Sequence, residues 1–86
     1  MSLFITFEGP DGSGKTTQIK MLADYLESRG KPVLLTREPG GTVISEEIRE
    51  VILAKKNLGM RHATEALLFS AARAQIVAEL IRPALA

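Results

Sequence analysis

The chain has no cysteine among its 86 residues, which excludes disulfides and thiolate metal sites and is compatible with a reducing cytoplasm. It has no surplus of one charge either: 11 Lys and Arg stand against 10 Asp and Glu. Bulk electrostatics therefore gives no case for nucleic acid or an anionic membrane as a partner, and any anion site has to be local. Long apolar runs are also missing. Leu3–Phe7 is too short for the core of a signal peptide and follows no basic leader. Ala66–Ile81 is interrupted by Arg73, Gln75 and Glu79, so it is no membrane span. There is no internal repeat and no low-complexity segment. What remains, 45% hydrophobic and 24% charged, is the composition of a single small globular domain with a modest core.

Hydrophobic periodicity divides the chain into alternating elements. "LFITF" (Leu3–Phe7) is short, β-branched and aromatic, and predicts a strand buried on both faces. From about Lys15 the period becomes helical through Ile19, Leu22, Ala23 and Leu26, and Gly30 and Pro32 supply the stop. "PVLLT" (Pro32–Thr36) predicts a second strand and "EPGG" (Glu38–Gly41) a loop. A second helix is predicted to begin near Ser45 as N-cap, with Glu46 and Glu47 in its first turn, and to break at "KKNLGM". A third runs from about His62 to Ile81 and ends before Pro83. The order strand, helix, strand, helix, helix is the beginning of an α/β fold.

The junction between the first strand and the first helix carries the chemistry. Gly9-x-x-x-x-Gly14-Lys15-Thr16 has the spacing of a phosphate-binding loop. Glycines let successive backbone N–H groups converge on one anion, and the following helix adds its own unpaired N–H groups and positive dipole end. Lys15 is unfavourable at a helix start unless a negative ligand neutralises it. The Thr16 hydroxyl is a candidate ligand for Mg²⁺ held between phosphates. The loop points to a nucleoside triphosphate and leaves the reaction open.

Three stretches narrow it: "FEGPDGSGKTTQ" (Phe7–Gln18), "TREPGGT" (Thr36–Thr42) and "ALLFSAARAQ" (Ala66–Gln75). In this order and spacing the chain resembles bacterial thymidylate kinases, which transfer the ATP γ-phosphoryl group to dTMP. The resemblance implies an α/β P-loop fold, with a parallel sheet flanked by helices as in nucleoside monophosphate kinases. Residues 1–86 would be the N-terminal β-α-β-α-α part of a single kinase domain. It implies ATP and Mg²⁺ at Gly9, Pro10, Asp11, Gly12, Ser13, Gly14, Lys15, Thr16 and Thr17, with Lys15 on the β/γ oxygens. It places Asp11 between the two nucleotides. Glu38 and Pro39 would line the acceptor pocket, Arg49 would reach the dTMP phosphate, Phe69 would stack on thymine and Arg73 would hydrogen-bond it. Lys15, Asp11 and Arg49 are then the catalytic set, in a cytoplasmic homodimer without nucleic-acid or membrane partners.

Each assignment has a plainer competitor. Phe69 and Arg73 share a helix face, and an aromatic beside a guanidinium suits a flat base. By periodicity alone, though, Phe69 is core and Arg73 snorkels over it. Arg49 can be a solvated charge between Glu46 and Glu50, Asp11 a turn former, and Arg37 and Glu38 a surface pair. His62 reads as a helix-start residue and Tyr25 as a packing residue.

The loop positions Pro10–Ser13 hold no arginine, which resembles members that supply basic residues from a mobile lid later in the chain. Neither that lid nor the family's Asp-Arg-Tyr/His motif occurs in residues 1–86. The strand order 2-3-1-4-5 of related kinases would put a strand between Leu3–Phe7 and Pro32–Thr36, so these 86 residues are not expected to form the sheet by themselves, nor to be active alone. Another P-loop small-molecule kinase and a non-catalytic nucleotide-binding fragment are the alternative functions.

Overall fold

The computed structural model describes residues 2–10 and 12–86. It has two compact units, Met1–Leu35 and Thr36–Ala86. In the first, α1 spans Lys15–Ser28, as the spacing of its apolar residues predicts. Ala23 is buried, while Ile19, Leu22 and Leu26 are half-buried on the same face. The helix ends in a Schellman arrangement: Lys31 N–H donates to Leu26 C=O at 3.1 Å and Gly30 N–H to Glu27 C=O at 3.0 Å. That geometry needs a left-handed residue, and Gly30 supplies it at φ 78°. Tyr25 is not the packing residue that the sequence suggests: it is 53% exposed, its hydroxyl accepts from Arg29 Nε and Nη2 at 3.1 and 2.9 Å, and the guanidinium lies 5.2 Å from the ring centre.

The expected parallel sheet is absent among the described residues: Leu3–Phe7 and Pro32–Thr36 form no strand. Extended backbone needs a neighbour to pair with, and neither segment has one. Their apolar side chains stay outside the core, with Leu3 75% and Leu35 57% exposed.

The second unit is built on α2 (Val43–Leu53) and α3 (His62–Ile76), which pack on each other. α2 starts three residues earlier than the sequence predicts. Its N-cap is Thr42, extended at φ −130°, whose hydroxyl oxygen accepts from Ser45 N–H at 3.2 Å. Ser45 is instead fully buried, and its hydroxyl donates to the Ala72 carbonyl of α3 at 2.8 Å. Ser45, Ala72 and Ile76 form the centre of this unit, with 0%, 1% and 0% exposure. At the other end of α2 a 3₁₀ turn (Lys55–Asn57) breaks the helix, and Asn57 Nδ2 donates to Val51 C=O at 2.8 Å.

The third helix does not stop before Pro83. α3 continues through a π-helical stretch, Val77–Ile81, into α4, Arg82–Leu85. Arg82 N–H donates to Val77 C=O, five residues back. The wider turn restarts the ladder so that Pro83 falls in the first turn of α4, where no N–H is required. Among the described residues no helix is long and apolar enough to cross a membrane.

Ile76→Ala removes the most enclosed large side chain of this unit and is expected to cost about 2–5 kcal/mol. That is comparable with the whole stability of a small domain. A urea titration followed by far-UV circular dichroism reads the effect; an unshifted midpoint would show that the α2–α3 contact is not the core.

Candidate functional site

In the first unit the glycine loop leads directly into α1. Gly12 and Gly14 take left-handed φ values of 81° and 86°, and Ser13 N–H donates to Pro10 C=O at 3.3 Å. The first bond of the helical ladder runs from Gln18 N–H to Gly14 C=O at 3.0 Å. The amides of Lys15, Thr16 and Thr17 thus precede the ladder, at the positive end of the helix dipole. The first turn holds no acidic residue, so nothing of negative charge on that turn opposes an anion. Lys15 folds back over the loop, its Nζ donating to Gly9 C=O at 3.0 Å. Thr16 and Thr17 are exposed. Asp11 lies outside the described residues.

Among the described residues no group of three or more His, Asp or Glu could hold a metal ion. A single threonine hydroxyl beside phosphate-ready amides fits Mg²⁺, whose other ligands would be phosphate oxygens and water.

In the second unit the loop from Thr36 to Thr42 is bonded to both helices. From α3, Arg73 Nε donates to Glu38 Oε2 at 2.7 Å, and Nη2 reaches Glu38 Oε1 at 3.4 Å. From α2, Arg49 Nη1 donates to the Pro39 carbonyl at 3.0 Å. The Glu38–Pro39 peptide bond is cis. Phe69 lies one turn before Arg73 and is 41% exposed, so it is not the core residue that periodicity alone suggests. The fold thus ties Glu38, Pro39, Arg49 and Arg73 together, and puts Phe69 on the helix that carries Arg73.

Arg37 and Glu38 do not pair with each other. Arg37 is bound to Glu46 through both Nε and Nη2, and Glu38 to Arg73. Nor is Arg49 a merely solvated charge, since it is half-buried and bonded to the loop. Sequence reasoning gave Glu46 no part beyond a favourable first-turn charge, yet it also accepts from Gly41 N–H at 2.7 Å. The signal was Gly40–Gly41 itself. A Cβ on Gly40 would collide with the Glu46 carboxylate, and one on Gly41 with Thr36 Oγ1 and Ile76 Cδ1.

The Arg37 hydrogen bonds, then the Gly41 N–H, pull the Glu46 carboxyl down to about 2, and the same pair raises Arg37. A depressed carboxylate contributes stability that is complete above its ordinary range and is lost as pH falls towards its folded value.

The sequence model of the thymidylate kinase family matches residues 7–86. Curated proteins similar to this chain include the thymidylate kinase of Herpetosiphon aurantiacus, 60% identical over 83 residues, covering 96% of this chain and 35% of that protein. The thymidylate kinase of Symbiobacterium thermophilum is 60% identical over 85 residues, covering 99% of this chain and 40% of that protein. That of Thermosipho africanus is 56% identical over 81 residues, covering 94% and 40%. The chain therefore spans between about a third and two fifths of the length of these relatives.

Glu46 is expected to remain ionised through mild acid and to titrate near pH 2, with the Gly41 amide resonance following it. Carbon-detected NMR of the Glu46 carboxyl between pH 6 and 1.5 makes the measurement. A midpoint near the ordinary glutamate value of about 4.3 would show that the Arg37 and Gly41 bonds do not hold in solution.

Proposed function

The chain belongs to the thymidylate kinase family, and from that premise we propose that it supplies the donor loop and the acceptor pocket of an enzyme that transfers the ATP γ-phosphoryl group to dTMP, giving dTDP. The observation that carries the acceptor half is the loop of Glu38 and Pro39, bonded to Arg49 on one helix and to Arg73 on another. That grouping supports the reading because it puts two arginines and an exposed aromatic ring in one unit, as a phosphate and a flat base would need.

The reaction needs little covalent help. A phosphate monoester has a second pKa of about 6, so the acceptor is largely dianionic at neutral pH and requires no general base. The difficulty is to bring two polyanions into line and neutralise their charge. Lys15 and the amides of Gly12 to Thr17 would bind the triphosphate. Mg²⁺, when bound, would neutralise charge on the β and γ oxygens, with the Thr16 hydroxyl as its protein ligand. Arg49, oriented by the Pro39 carbonyl, would hold the acceptor phosphate. Asp11 would lie between the two nucleotides. Phe69 would stack on the thymine ring, and Arg73, steadied by Glu38, would hydrogen-bond its edge.

In this reading Leu3–Phe7 and Pro32–Thr36 become strands of a parallel sheet only when a strand pairs between them, in a cytoplasmic, homodimeric kinase. Their exposure favours a second statement: residues 1–86 alone do not turn the nucleotides over.

The test joins residues 1–86 to the remainder of the Symbiobacterium thermophilum kinase. The joined protein is expected to form dTDP from ATP and dTMP, and the 86-residue chain alone to form none. Lys15→Ala should lower kcat about 100-fold or more. Arg73→Ala should raise the KM for dTMP about tenfold, the size of one lost charge-assisted hydrogen bond, and leave the KM for ATP unchanged. Turnover of another acceptor in preference to dTMP would replace this reading.

A further inference from the structure

Glu46 is bonded to the Thr36–Thr42 loop through contacts that the proposed reaction does not use. It stands on α2 one turn before Arg49. Its carboxylate accepts from both Arg37 Nε and Nη2 and from Gly41 N–H. Arg37 and Gly41 flank the Glu38–Gly40 segment, so one side chain fastens the loop on either side of its two acceptor-facing residues. The fastening is sterically specific. Gly40 is buried at φ 141°, and the space a Cβ would fill there is occupied by the Glu46 carboxylate. Arg49, three residues on, holds the same loop by the Pro39 carbonyl. α2 therefore grips the loop at residues 37, 39 and 41, and Glu46 makes two of the three attachments.

We propose that Glu46 is a positioning residue for acceptor recognition: by fastening Arg37 and Gly41 it fixes Glu38 against Arg73 and the Pro39 carbonyl against Arg49. The inference rests on the acceptor pocket proposed above. Glu46 touches neither nucleotide in this scheme and acts through the loop. Its loss should weaken acceptor binding and spare the donor, which binds at the glycine loop. A carboxylate is required, because both of its oxygens accept at once, Oε2 from Gly41 N–H and Arg37 Nε and Oε1 from Arg37 Nη2, whereas an amide would turn an NH2 donor on the guanidinium. Exchanging the two charges restores an ion pair between positions 37 and 46 but leaves no acceptor for Gly41 N–H.

Two measurements test it. In the 86-residue chain, Glu46→Gln is expected to speed hydrogen exchange at the Gly41 amide and at Arg73 Nε–H about tenfold each, in line with the loss of one charge-assisted bond. In the joined kinase, the same substitution should raise the KM for dTMP about tenfold, with the KM for ATP within twofold and the melting temperature lowered by only about 2–4 °C. The double variant Arg37→Glu, Glu46→Arg should not recover the dTMP KM. Recovery by that variant would overturn the inference, since it would show a simple surface ion pair. Unchanged Arg73 exchange in Glu46→Gln would overturn it too. If the joined kinase prefers another acceptor, the functional reading fails, and Glu46 is judged by exchange in the chain and by the KM of that acceptor.

Discussion

The Ser45 hydroxyl sits 2.8 Å from the Ala72 carbonyl, in a contact closed to solvent, and the arrangement of the second unit, with the acceptor pocket proposed on it, depends on that contact. Two small residues at the crossing let α2 and α3 approach closely, and the hydrogen bond fixes how they meet. The helix residues proposed for the acceptor lie within a turn of that crossing. Glu46 and Arg49 follow Ser45 on α2; Phe69 and Arg73 bracket Ala72 on α3. The Thr36–Thr42 loop is held where side chains from both helices reach it. Ile76, fully enclosed, packs close enough to Gly41 to forbid a side chain there. The buried core and the proposed pocket thus share the same two helices.

The near-neutral charge balance conceals how specifically the charges are used. Arg37, Arg49 and Arg73 are each directed at the loop or at a residue that holds it, and Glu38 and Glu46 answer from the other side. Both ion pairs are partly solvated, so their worth lies less in stability than in orientation. A guanidinium fixed along one edge has lost most of its rotational freedom before a ligand arrives, which lowers the entropic cost of binding.

Much of this was legible in the residues. The apolar period of α1, the stop at Gly30 and the glycine loop need only local rules, and local rules held. The failures are those where a distant partner decides. Ser45 is a good N-cap by type, but a buried carbonyl on α3 claims its hydroxyl, and Thr42 caps instead. Arg37 and Glu38 are adjacent, yet their partners lie 9 and 35 residues away, and no spacing rule reaches that far. Pro83 is a helix breaker in a regular ladder; five-residue bonding upstream of it removes the conflict. Leu3–Phe7 and Pro32–Thr36 have strand composition, but composition does not supply the pairing partner on which a strand depends.

Those two segments set a timetable. Helices form from contacts a few residues apart, on a microsecond scale, whereas parallel strands wait for a long loop to close. A chain with α1, α2 and α3 in place still presents two ribbons of leucine, isoleucine and phenylalanine to solvent. In the kinase proposed above, the helical parts would mature first and the sheet last. In the interval between, other unfolded chains would compete for the same ribbons as the strand proposed to pair with them.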